Sequence, residues 1–185
     1  METDEQIYLR YTETDDDEDL EALLTRHREG LLLFLLGFVR NAEDAEELMM
    51  DTFAKLAVDK PKFESDHPGS FKGWIYTIAR NNALMHIRKK RYETVPLDES
   101  IPSEADLPDT VLLREERNRK LYQAMSALKP EYRRVLYLLF MEDMSHEEIA
   151  GIMKMTIQQV YSLVKRGKQS LRKNLERMGI TDAQY

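Results

Sequence analysis

From Glu18 onward the chain alternates apolar and polar residues with a helical rhythm. Leu20, Leu23, Leu24, Leu31, Phe34, Leu35 and Phe38 recur largely at three- and four-residue steps, which predicts a helix with one buried stripe. Asn41 suits the N-cap of a second helix, with Asp44 three residues later. That helix places Ala45, Leu48, Met49, Thr52, Phe53 and Leu56 on one side, with Asp44, Glu47, Asp51 and Lys55 largely on the other. Lys60 to Ser70 holds Pro61, Pro68 and Gly69 and reads as a loop, with Ser70 placed to cap the next helix. Phe71 to Arg91 then reads as one long helix, with Phe71, Trp74, Ile75, Ile78, Ala79 and Leu84 turned to a core. Trp74 and Tyr76 need not both be buried.

The pattern then lapses. Glu93 to Asp109 contains Pro96, Pro102 and Pro108, six acids and no base, and no apolar period. This predicts an extended acidic linker and a domain boundary. Beyond it lies a second helical set. Val111 to Ala127 forms one helix; Lys129–Pro130 breaks it, with Pro130 in the first turn of the next. Glu131 to Met141 is that next helix, and the last one runs to about Met178, ahead of Gly179. No strand pattern of any length occurs. The expected fold is all-α: two small helical domains, 18–92 and 110–180, joined by a flexible linker at 93–109 and preceded by a disordered acidic tail at 1–17.

Within the second set, Ser145 to Lys168 holds two helix starts close together. Ser145 with Glu148 and Thr156 with Gln159 both match the capping box, in which two side chains each cover a backbone donor at a helix N-terminus. Lys154 and Met155 leave room only for a short turn. Two short helices on a tight turn, the second carrying exposed polar and basic groups, match a helix-turn-helix that enters a DNA major groove. An ordinary helical hairpin has the same pattern, and this stretch alone leaves both open.

Charge sharpens the picture through its distribution. The net charge is −7, but residues 1–21 hold ten acids and one base, so the rest of the chain sums to +2. Bases cluster near Arg80–Arg91 and Lys165–Arg177. A polyanion responds to such clusters more than to the total. The Phe71–Arg91 helix interleaves its bases with aromatics and with Asn81 and Asn82, a composition that suits single-stranded nucleic acid. A buried tryptophan beside a routine basic helix end would look the same. Cysteine is absent, which removes disulfides and thiolate metal sites. The acidic N-terminus does not resemble a secretory signal, and the longest apolar run, Leu31 to Val39, is far short of the roughly 20 residues that span a bilayer. A soluble, cytoplasmic protein without membrane insertion is expected.

No catalytic constellation holds. His146–Glu147 begins like a zinc-protease helix, but Ala150 stands where the second ligand belongs. His27, His67, His86 and His146 are scattered, and there is no phosphate-binding glycine loop or nucleophile elbow. The expectation is a protein that is no enzyme and carries no catalytic residue, metal site or cofactor.

Three segments, in order, carry a family resemblance over about Leu20 to Leu175. Asp44 to Phe53 resembles the core-binding helix of sigma domain 2. Phe71 to Asn81 with Arg88 to Arg91 resembles its promoter-melting helix. Leu128 to Leu171, with Pro130-Glu131-Tyr132-Arg133 opening it and Ser145-His146-Glu147-Glu148-Ile149-Ala150 inside it, resembles domain 4. The chain thus resembles the extracytoplasmic-function sigma factors, the compact two-domain specificity subunits of bacterial RNA polymerase.

The resemblance implies roles. Asp44, Glu47, Asp51 and Lys55 would dock on core polymerase. Trp74, Tyr76, Arg80, Asn81, Asn82, Arg88, Lys89 and Arg91 would engage the −10 element as it melts, and the Lys60–Ser70 loop would capture a flipped base. Thr156, Gln158, Gln159, Tyr161 and Ser162 would face the −35 element, with Lys165, Arg166 and Lys168 on phosphates. The linker would thread toward the polymerase channels. The implied partners are core RNA polymerase, promoter DNA and an anti-sigma factor, with the free chain a monomer.

Some positions depart from the family pattern. Tyr161 and Leu163 stand where a Lys and an Arg are usual, Lys154 where a turn glycine is usual, and Met85 where an Asp is common. Gly167 should weaken its helix by about 1 kcal/mol relative to Ala. The competing reading is a stand-alone helix-turn-helix regulator whose first half dimerises or senses an effector, and which binds a palindromic operator.

Overall fold

The computed structural model describes residues 2–39, 41–63, 71–92 and 116–180, and every regular element among them is a helix. The first half holds α1 (Asp4–Thr14), α2 (Asp17–Val39), α3 (Ala42–Asp59) and α4 (Phe71–Tyr92). The second holds α5 (Glu116–Ser126), α6 (Pro130–Phe140), α7 (His146–Met153) and α8 (Ile157–Arg177). The 93–109 linker, Ser70 and most of the Lys60–Ser70 loop lie outside the described residues, as does the start of the helix expected from Val111.

The apolar patterns become cores as predicted. On α3 the residues Ala45, Leu48, Met49, Thr52, Phe53 and Leu56 are all buried. Asn41 caps that helix, its side-chain oxygen accepting the Asp44 N–H at 2.7 Å. α2 is different: Leu31 to Phe38 is buried without a break, as expected of a helix surrounded on all sides. α1, α3 and α4 pack around it from its own half, and α6 packs on it from the other. α7 also packs on α4, so the buried apolar residues form one cluster running through both halves.

Two expectations need correction. Residues 1–17 do not form a disordered tail, because Asp4–Thr14 is a helix. Thr3 caps it in a box with Gln6, and Ile7, Tyr8 and Tyr11 are buried. Its acids act locally. Glu5 accepts the Phe71 N–H at 2.8 Å, a carboxylate at the positive end of α4. Asp4 meets Arg26 at 2.7 Å and His27 at 2.8 Å on α2. Three apolar residues at short helical spacing hold this helix down despite its charge. The second correction is Leu84, which is 40% exposed; the neighbouring Ala83 takes the buried position.

The halves meet through polar contacts on two glycines of one α2 face. The Tyr137 hydroxyl has one proton to share between two acceptors, the Gly30 carbonyl at 3.1 Å and Glu142 Oε1 at 2.9 Å. Arg134 Nε donates to the Gly37 carbonyl at 2.9 Å, and its guanidinium lies 3.8 Å from the centre of the Phe38 ring. Gly37 is in the last turn of α2, where carbonyls lack helical partners and a cation is favoured. Lys72 on α4 pairs with Glu142 Oε2 at 2.7 Å and donates to its backbone oxygen at 3.0 Å.

Candidate nucleic-acid interface

The helix-turn-helix is built by its caps. Ser145 Oγ accepts the Glu148 N–H at 3.2 Å, while Glu148 Oε2 accepts the Ser145 N–H at 2.8 Å. Thr156 and Gln159 repeat this at the start of α8, at 3.2 and 2.8 Å. Between the boxes Lys154 adopts the left-handed conformation, φ 50° and ψ 54°, and the Met155 N–H closes the turn on the Ala150 carbonyl at 3.1 Å. The turn therefore has the backbone that glycine prefers, held here by a lysine.

Val160, Val164 and Leu171 anchor α8. Gly167 anchors it too, since a Cβ there would lie 3.1 Å from Leu136 Cδ1 on α6. Its lack of a side chain lets the two helices approach, which offsets the helix-propensity cost. The opposite face exposes Thr156, Gln158, Gln159, Tyr161, Ser162, Lys165, Arg166 and Lys168. A shallow groove of about 440 Å³ runs beside Gln158, Ser162 and Arg166. Gln159 is exposed, but its side-chain oxygen is committed to the cap, leaving only the amide N–H groups for a base edge. Thr156 is likewise the capping residue, and the Lys168 ammonium lies 5.2 Å from the centre of the Phe140 ring. Tyr161 stacks on His146.

The predicted −10 residues divide. Trp74 is 8% exposed, enclosed by Tyr8, Phe63 and Phe71 with ring centroids 5.1 to 5.5 Å away. Tyr76 is wholly buried, its ring 5.1 Å from that of Phe34, and burial pushes its hydroxyl well above the usual tyrosine range. Both aromatics expected to stack on bases are thus core residues in this arrangement, because α1 covers one and the second half covers the other. Arg80 is half-buried, with Nη1 donating to Asn81 Oδ1 at 3.3 Å, and burial lowers its pKa. Asn82 donates to Thr52 Oγ1 at 3.3 Å. Arg88 and Lys89 are exposed near the end of α4, next to exposed Leu84 and Met85, and Arg91 lies in its last turn.

On α3, Glu47, Asp51 and Lys55 form an exposed stripe at four-residue spacing. Asp44 stands apart from it, with Lys90 of α4 at 2.5 Å and His86 at 3.5 Å. Burial pushes the Asp44 carboxyl up, but hydrogen bonds from Lys90 and Asn41 outweigh this and hold it below its ordinary range. Asp44 thus clamps α3 to α4. Sequence reasoning missed Lys90 as its partner, although the four-base run Arg88–Arg91 already marked that end of the helix.

A second half that carries a capped helix-turn-helix with a polar and basic second helix, joined to a first half whose α3 presents an exposed charged stripe, fits a two-part DNA-binding protein. Family comparison gives the same division. The Sigma-70 region 2 family matches residues 23–92, and the Sigma-70 region 4 family matches residues 118–171. The RNA polymerase sigma factor CarQ of Myxococcus xanthus is 30% identical over 159 residues, covering 84% of this chain and 88% of CarQ. The ECF RNA polymerase sigma factor SigE of Mycolicibacterium smegmatis is 28% identical over 168 residues, 89% of this chain; the chain spans 64% of the length of SigE. In fold, the chain is similar to the sigma factor RpoE crystallised with the anti-sigma factor NepR from Bartonella quintana, at a TM-score of 0.64 and 23% identity, covering 86% of this chain and 98% of RpoE. The chain belongs to the RNA polymerase sigma factors, in their extracytoplasmic-function group. No helix among the described residues is long and apolar enough to cross a membrane.

Proposed function

We propose that this chain binds core RNA polymerase through the α3 stripe, reads the −35 element with α8, and engages the −10 element with the basic end of α4 as the duplex melts. The observation that carries this reading is α8 itself. Two capping boxes around a left-handed Lys154 fix its angle, and Gln158, Ser162, Lys165 and Arg166 stay exposed on it. Gln158 suits a bidentate contact to adenine, while the cations suit phosphates. Initiation by this route is binding work; the chemistry belongs to the polymerase.

Promoter elements about 25 base pairs apart lie roughly 85 Å apart along B-form DNA at 3.4 Å per pair. Two halves packed through Gly30, Gly37 and Lys72 do not span that distance. They separate on the promoter, tethered by the 93–109 linker. Separation breaks interface hydrogen bonds worth about 0.5–1.5 kcal/mol each and exposes part of the shared apolar cluster, and docking on a large partner offsets both. RpoE was crystallised with an anti-sigma factor, NepR; an anti-sigma factor of this chain would favour a conformation that keeps it off polymerase.

Glu47→Lys with Asp51→Lys tests core docking. The double variant should lose co-purification with core polymerase while its circular dichroism and thermal midpoint stay unchanged, because both side chains are exposed. Undiminished core binding would move the docking surface elsewhere.

A further inference from the structure

His146 opens α7 and Tyr161 lies in the second turn of α8. Their rings stack across the helix-turn-helix, with centroids 4.2 Å apart and planes 19° from parallel. Among the described residues the other close ring–ring contacts line the core, whereas this one is at the surface. Tyr161 remains 54% exposed, so His146 covers one side of the ring and leaves the rest open. Tyr161 also falls three residues after Gln158 and four before Lys165, in the exposed row assigned above to the −35 element.

A lone tyrosine on a helix surface samples more than one side-chain rotamer. A stacked neighbour selects one before DNA arrives and so reduces the ordering cost of binding. Tyr161 carries no charge to hold a phosphate. Its hydroxyl can hydrogen-bond, but most of the ring is apolar carbon, and the apolar group that a major groove presents is the 5-methyl of thymine. We propose that Tyr161 reads a thymine methyl in the upstream promoter element, and that His146 is the positioning residue that holds its ring. This rests on the promoter-reading role proposed above. It also gives a use to His146, whose zinc-motif context is incomplete.

The test uses the full chain bound to core polymerase. Selection from a library randomised at the −35 element yields a preferred sequence. Each thymine in it is then replaced by uracil, which removes only the methyl, and binding is compared at fixed salt. At one position the wild type should lose about fourfold, the worth of one buried methyl-sized group. Tyr161→Ala should be insensitive to that replacement while responding normally elsewhere. His146→Ala should lose most of the methyl sensitivity, and His146→Phe, which keeps a stacking ring, should restore it. A preferred element without thymine, a methyl response that survives Tyr161→Ala, a His146→Ala that behaves as wild type, or a His146→Phe that fails to rescue would each overturn the proposal. A complex that directs no promoter-dependent initiation at all would instead remove the promoter-reading role, and the proposal with it.

Discussion

Gly30 sits in the middle of α2, where helix propensity alone favours alanine by about 1 kcal/mol. The structure predicts the opposite outcome. A Cβ at position 30 would fall on the Tyr76 hydroxyl oxygen, well inside contact distance, and 2.7 Å from Glu142 Oε1. Tyr76 is wholly buried against Phe34, and Glu142 is held by Lys72 and Tyr137, so neither neighbour yields freely. Overpacking of this kind costs about 1–3 kcal/mol. After the propensity gain, Gly30→Ala should destabilise the chain by up to about 2 kcal/mol, read as a lower urea midpoint at unchanged slope. Tyr76→Phe deletes the nearer of the two atoms that the methyl strikes and leaves the contact with Glu142 Oε1. In that background Gly30→Ala should cost less than in the wild type, giving a coupling of about 1 kcal/mol or more in a double-mutant cycle, with the Glu142 contact still opposing the methyl. Additivity within about 0.5 kcal/mol, the scatter of independent sites, would refute the packing of Tyr76 against Gly30.

Lys154→Gly should stabilise the second half by about 1 kcal/mol, because a left-handed residue with a Cβ is strained by that order; a thermal midpoint that did not rise would contradict the turn geometry. His27 is buried beside Asp4 on α1, with Lys72 and Glu142 nearby, and burial lowers its pKa below the ordinary 6.5. A folded-state value below the unfolded one means that stability is fully present above about pH 6.5 and falls as the pH drops from there toward the folded value. The slope is at most about 1.4 kcal/mol per pH unit for one proton. His27→Gln keeps a hydrogen-bonding group but has nothing to titrate, so urea midpoints between pH 7 and 5 should fall less than in the wild type; parallel profiles would exclude His27 as the source.

Local chemistry in this chain was legible and long-range chemistry was not. Asn41, Ser145 and Thr156 announce their caps because each partner lies three residues away, and Lys154 is marked by the brevity of the turn between two boxes. The stripe on α3 follows from periodicity alone. The fate of Trp74 and Tyr76 depends on Tyr8 and on Glu142, more than 60 residues away in each case, and no local pattern encodes such a meeting. Gly30 and Gly37 look like ordinary helix interruptions until Tyr137 and Arg134 are seen on their carbonyls. α1 was hidden by its own acids: a charge count reads them as solvating, whereas Asp4 and Glu5 bind specific groups on α2 and α4.

The most direct measurement is promoter-dependent transcription by bacterial core polymerase with and without this chain. Initiation from a defined start site only when the chain is added, and lost with Glu47→Lys and Asp51→Lys, is the predicted result. A chain that binds a palindromic operator by itself as a dimer, while its cognate core polymerase ignores it, would contradict the proposed function.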